Sequence, residues 1–176
     1  MPNPAAPPRS ACEGGRVKRV IGEFEIDDDP ARLDREAVWA WLSTEAYWGT
    51  WRHREHLERQ LDAAWRVVGL YRGDRTLGSA RAVSDGVSFA YLADVWVDPS
   101  VRGHGLGVAL VDAMLASGPG MRWSLHTRDA HGLYARFGFA TPDETLLERP
   151  ADPEVILRGE LGAGSDEFPA DVRSPL

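Results

Sequence analysis

The chain is 176 residues long, with 20 Lys/Arg against 27 Asp/Glu, a formal net charge of −7, and 43% hydrophobic residues. That length predicts one domain with a core of its own, and the acidic balance argues against a nucleic-acid grip, which needs a Lys/Arg-rich face. The single cysteine, Cys12, allows neither an intrachain disulfide nor a cysteine zinc site.

No apolar run approaches the roughly 18 residues that span a bilayer, and the opening MPNPAAPPRSACEGG has no apolar segment of signal-peptide type. The expectation is a single-domain cytoplasmic protein with no membrane partner. Residues 1–16, rich in Pro, Ala and Gly, and residues 150–176 read as flexible tails around a compact unit at 17–149.

Val17 to Ile26 alternates loosely and reads as a strand, closed by the acidic break Asp27 to Pro30. Asp34 then opens a helix as its cap, with Leu33 placed to staple onto Val38. A second helix fits Thr50 to Trp65, with Leu57, Leu61, Ala64 and Trp65 on one face. Three strand-like runs follow, Trp65 to Tyr71, Thr76 to Val83 and Ser88 to Val97, joined by Gly73-Asp74 and Asp85-Gly86 turns. A glycine-rich stretch enters a helix over Val108 to Ala116, Met121 to Thr127 reads as a strand, and Asp129 caps a short helix, Ala130 to Phe137. A last strand is expected near Glu144 to Glu148. The order β-α-α-β-β-β-α-β-α-β describes an α/β (α+β) domain, its mixed, mostly antiparallel sheet flanked by helices.

The segment Val97-Asp98-Pro99-Ser100-Val101-Arg102-Gly103-His104-Gly105-Leu106-Gly107 carries most of the chemistry. A strand runs through glycines directly into a helix, so backbone N–H groups converge without Cβ obstruction on a positive helix end. That is a phosphate or pyrophosphate site. Neither G-x-G-x-x-G nor the P-loop fits the spacing; R-x-x-G-x-G fits, as Arg102, Gly105 and Gly107. Further on, Leu133-Tyr134 precedes Gly138-Phe139.

These two segments, in this order, resemble the acyl-CoA loop and the second signature of the GNAT (GCN5-related N-acetyltransferase) superfamily, and the element order is similar as well. The resemblance implies acetyl-CoA as acyl donor, no metal, and transfer to a primary amine of a small molecule or peptide. It implies that Arg102, Gly103, His104, Gly105, Leu106 and Gly107 hold the pyrophosphate. The pantetheine would pair with the backbone of Val95, Trp96 and Val97, and Asp129 would lie beside it. Tyr134 falls at the position of the general acid that protonates the leaving thiolate. A homodimer is one state the family allows, and a non-catalytic acyl-CoA sensor is the alternative function.

Asp94, in an otherwise apolar strand, is the candidate base or the anchor of a water relay, either half-buried with a raised pKa or facing a wet cleft; the plainer reading is an acidic side chain on the exposed face of the strand. Five of the seven tryptophans fall between residues 39 and 65. Trp39, Trp41 and Trp65 read as core, and Tyr47, Trp48 and Trp51 as pocket residues for a cationic or hydrophobic amine. Arg52 and Arg81 are placed to grip a substrate carboxylate instead, whereas the net charge mildly favours a cationic acceptor. The five histidines show no metal spacing.

Overall fold

The computed structural model describes residues 16–49 and 52–150. Trp51, the tail at 1–15 and residues 151–176 lie outside the described residues. The chain divides after Ala140 into two units.

In the first unit a six-stranded sheet runs in sequence order, β1 (Lys18–Ile21), β2 (Phe24–Asp27), β3 (Arg66–Arg72), β4 (Arg75–Ser84), β5 (Phe89–Val97) and β6 (Arg122–Ser124). All pairs are antiparallel except β5 with β6. The single opening strand expected from the pattern is a hairpin, because Gly22 adopts φ +60° and turns the chain after Ile21.

α1 (Arg35–Thr44) begins at Asp34, whose carboxylate accepts from the backbone N–H groups of Glu36 and Ala37. α2 (Arg54–Ala63) is shorter than the expected Thr50 to Trp65. Its start is fixed at His53, whose backbone N–H donates to His56 Nδ1 (3.1 Å). Ala64 turns extended after its end, and Trp65 donates its N–H to Ala82 O, already beside the sheet.

α3 (Leu106–Leu115) and α4 (His131–Ala135) complete the unit. α4 lacks the expected Asp129 cap: Ala130 is its N-cap and no side chain caps the helix, while Thr127 Oγ1 accepts the Ala130 N–H just ahead of it (3.1 Å). The final strand near Glu144 to Glu148 is not formed. Residues 141–150, in the second unit, are exposed and hold a turn in which Asp143 Oδ1 accepts from Thr145 N–H (2.9 Å). Leu146 and Leu147 are adjacent rather than alternating, so neither sheet face could take both.

Two cores lie on opposite faces of the sheet. Under α3, Val68, Leu70, Ala80, Ala82 and Leu92 pack with Leu106, Leu110, Val111, Met114 and Tyr134. On the other face Val38, Trp41, Leu42, Leu57 and Leu61 pack with Trp96. Trp41 and Trp96 stack at 5.4 Å and 12°, and Trp96 Nε1 finds its acceptor in Ser79 Oγ (2.7 Å).

Candidate active site

Two irregularities in β5 create the site. Between the pairs Arg81↔Ala93 and Ser79↔Trp96, β5 advances three residues while β4 advances two, a β-bulge. Asp94 sits in it at φ +50°, the one non-glycine residue with positive φ among the described residues. The extra residue reverses the facing of the strand. Leu92 lies in the α3 core; beyond the bulge Val95 and Val97 take that face and Trp96 the other.

The second irregularity is a splay. β6 pairs with β5 over Phe89↔Arg122 to Tyr91↔Ser124 only, and β5 runs on six residues to Val97. Among the described residues its edge from Leu92 to Val97 has no partner strand on that side, which leaves an opening between β5 and the edge strand β6.

At the end of β5 the loop is held from several directions. Asp98 donates its N–H to Leu77 O (2.7 Å), and its carboxylate accepts from Ser100 N–H (2.9 Å) and Oγ–H (2.6 Å) to cap a single 3₁₀ turn, Pro99–Val101. These hydrogen bonds, with Arg75 beside them, hold the Asp98 pKa below the usual carboxylate value. Arg102 Nε donates to Val97 O (2.8 Å). Gly103 and Gly105 follow at φ +83° and +74°, and a Cβ on either would project into open space. Gly105 is the N-cap of α3 and offers no side chain, so the helix's first amides keep their donors for a ligand. The loop fits a diphosphate: glycine backbone, uncapped helix N-terminus, and a guanidinium alongside.

The residues expected around the transfer centre divide between the two faces. Tyr134, on α4, is 8% exposed and packs edge-on against Phe139 at 5.8 Å. Its hydroxyl has no hydrogen-bond partner among the described residues. Burial, then the charge of Asp129 and the neighbourhood of Tyr47, push its pKa up to about 12. The phenol therefore keeps its proton at neutral pH. Asp129 itself is exposed and bears on Tyr134 through its charge rather than as a helix cap.

Asp94 is 6% exposed, which excludes the exposed-face reading. Oδ1 accepts from Trp48 Nε1 (3.1 Å) and Arg52 Nη1 (2.9 Å), and Oδ2 from Arg81 Nε (3.0 Å) and Nη2 (2.9 Å). Burial alone would raise its pKa, but the charges and hydrogen bonds of Arg81 and Arg52 outweigh burial and hold it below the ordinary value. The raised pKa expected from the sequence is thus reversed. Arg81 and Arg52, separated from Asp94 by 13 and 42 residues, are both engaged by it.

Of the aromatic residues expected in the pocket, Trp48 contacts Trp41 and Tyr47 edge-on at 5.4 and 4.7 Å. Tyr47 is exposed, and its hydroxyl accepts the Arg128 N–H (3.1 Å) while the Arg128 guanidinium lies 3.7 Å over its ring. This clamp ties the segment after α1 to the one after β6. Tyr91 and His126 form a second bridge across the splay, Oη to Nδ1 at 2.8 Å. Sequence reasoning missed both bridges, because each joins residues more than thirty positions apart with no motif to mark them. A cavity of about 370 Å³ between α1 and the ends of β4 and β5, with Trp41 and Trp96 in its lining, shares no residue with the glycine loop or Tyr134. Among the described residues no group of His, Cys, Asp or Glu has the makings of a metal site, and no helix is long and apolar enough to cross a membrane.

A parallel pair splayed around a bulged strand, with a glycine loop at the strand's end, defines an acyltransferase fold. Residues 34–139 match the acetyltransferase (GNAT) family, and the chain belongs to that family. It is 35% identical to an acetyltransferase assigned to the GNAT family from Xanthomonas campestris pv. campestris, whose crystal structure superposes with TM-score 0.70 over 75% of this chain and 96% of that one. A GCN5-related N-acetyltransferase from Ralstonia eutropha, 21% identical, shares the fold at TM-score 0.54 over 73% of this chain and 98% of that one. A protein of Gibberella zeae named as an acetyltransferase is 29% identical over 110 residues, 49% of this chain; the match spans 59% of that protein's length.

Proposed function

We propose that the protein transfers an acetyl group from acetyl-CoA to a primary amine. The observation that carries this reading is the sequence of bulge, splayed edge and uncapped glycine loop along one continuous stretch from Asp94 to Leu106. When bound, acetyl-CoA supplies a thioester-activated acetyl group and leaves as the thiol. The amides from Gly103 to Gly107 and the Arg102 guanidinium would hold its diphosphate, and the free edge of β5 at Val95 to Val97 offers backbone groups to an extended arm.

Tyr134 holds a proton at Oη across the neutral range and serves as donor to the departing sulfur. Asp94 is poorly suited to take the proton from an ammonium, because its low pKa and its contacts to two guanidiniums and an indole keep it an anion. Its role is to position Arg81, Arg52 and Trp48. The engagement of Asp94 also keeps the sensor reading open, in which acyl-CoA binds without turnover.

Calorimetric titration with acetyl-CoA, with NAD as the comparison ligand, tests the reading together with thiol release over a panel of amines. Micromolar binding of acetyl-CoA alone and amine-dependent thiol release support the enzyme; binding without release from any amine supports the sensor. Absence of acetyl-CoA binding overturns both.

A further inference from the structure

The ionic cluster behind the bulge brings two guanidiniums to a single carboxylate. Asp94 divides one negative charge between Arg81 and Arg52 and also accepts the Trp48 N–H. Arg81 is 7% exposed. It lies opposite Ala93 on the α1 face of the sheet, and its partner among the described residues is one oxygen, Asp94 Oδ2, met by both Nε and Nη2. That leaves Nη1 without a hydrogen bond among the described residues. It is nevertheless not among the sealed, unpartnered nitrogens, so this donor is not shut off from solvent. A guanidinium so deeply placed and only partly compensated is costly unless a further anion meets it. Trp48, which donates to the same carboxylate, packs edge-on against Tyr47 at 4.7 Å.

We propose that Arg81, held in orientation by Asp94, receives a carboxylate on the acceptor, so that the acceptor is an amino carboxylate rather than a polyamine or a simple alkylamine. The inference rests on the acetyl-transfer reading, because the cluster lies three residues along β5 from Tyr91, where the splay opens and an amine would have to arrive. The net charge of −7 favours cations in the long-range field, but that field is screened beyond about 8 Å at physiological salt, whereas a buried contact is not. At the point of docking, the local cluster decides. The planar fork of arginine matches a carboxylate in particular.

The test compares the standard amino acids and 4-aminobutyrate with their carboxamides, which keep the amine and remove the charge. Binding to the wild-type protein is read by calorimetry and turnover by thiol release. The expected result is a kcat/KM at least about tenfold higher for some acid than for its amide, residing in KM, with the same order in binding. In Arg81→Gln the acid-to-amide ratio falls towards one, and Arg81→Lys restores part of it, since a point charge replaces a fork. Amides equal to or better than every acid in the wild-type protein overturn the proposal, as does an unchanged ratio in Arg81→Gln. Should that variant not fold, competition by simple carboxylates against the amine, and not against acetyl-CoA, supports the proposal, and its absence overturns it. Acid-selective binding is read without turnover, and acetyl-CoA binding is measured separately, so failure of the acetyl-transfer reading and failure of the Arg81 assignment leave different records.

Discussion

Tyr134 and Asp94 are both buried ionisable side chains, and their surroundings shift their pKa values in opposite directions. The phenol is held neutral by burial and a nearby carboxylate, and the carboxyl is held charged by two guanidiniums. Removing each should therefore have a different signature. Tyr134→Phe keeps the ring packed against Phe139 and removes only a donor, so kcat should fall by about 10²-fold or more while acetyl-CoA affinity stays within about twofold in calorimetry. Full turnover in that variant at saturating substrate would make Tyr134 a packing residue. Asp94→Ala leaves Arg81 and Arg52 buried without their shared counterion and should cost about 3–5 kcal/mol in urea unfolding. Because the folded pKa of Asp94 is depressed, its contribution is fully present above the usual carboxylate pKa and is lost as pH falls through the folded value. The stability gap between wild type and Asp94→Ala should narrow in acid and stay constant from pH 6 to 8.

At the scale of elements, the loop that opens α3 separates glycines that serve conformation from one that neither conformation nor packing requires. Gly105 holds φ +74°, and any L side chain there costs about 1–2 kcal/mol from strain alone. A Cβ on it also projects into the space an anion needs. Gly107 is ordinary helix, and a Cβ there meets Leu133 Cδ1 at 3.5 Å, normal van der Waals contact. Gly105→Val should thus lose both stability and acetyl-CoA binding, whereas Gly107→Ala should fold at least as stably as wild type. Thermal unfolding with and without acetyl-CoA reads both; an equal ligand-induced shift in Gly105→Val and wild type would remove the loop from the binding site.

For the whole molecule, what was legible in the sequence was what local chemistry encodes. Asp34 as a cap, the glycines before α3, and the turns bounding β3, β4 and β5 are short-range signals, and each lies where it was expected. The hairpin at Gly22 was missed because residues 17–26 keep their alternation through the turn. The strand expected near Glu144 to Glu148 does not form, since its two leucines are adjacent and both exposed. The bulge at Asp94 leaves no mark in hydrophobic pattern, because Val95, Trp96 and Val97 are apolar on whichever face they fall. Without the bulge, the meeting of Asp94 with Arg81 and Arg52 cannot be read, so the sequence marks these residues without the pairing that lowers the Asp94 pKa.

One property depends on composition and burial together. Lys18 is the only lysine, so arginine, which does not titrate, supplies nearly all the basic charge. The tyrosines then dominate the alkaline response. Tyr71 and Tyr134 are both raised to about 12, Tyr71 chiefly by burial and Tyr134 by burial and Asp129. In the unfolded chain both lose their protons near pH 10, while the folded protein retains them. Between about pH 10 and 12 stability should therefore fall by about 1.4 kcal/mol per pH unit for each of the two, and below pH 10 neither contributes a slope. Tyr71 makes the cleaner test, because its buried hydroxyl has no hydrogen-bond partner among the described residues and Arg32 lies over its ring at 4.2 Å rather than bonding its oxygen. Tyr71→Phe deletes an unsatisfied polar atom, so it should gain about 1 kcal/mol at pH 7 and lose about half of the alkaline slope. Urea unfolding at pH 7, 10 and 11 measures both effects. A variant less stable than wild type at pH 7, with the slope unchanged, would show that the Tyr71 hydroxyl is hydrogen-bonded in solution and already ionises near 10.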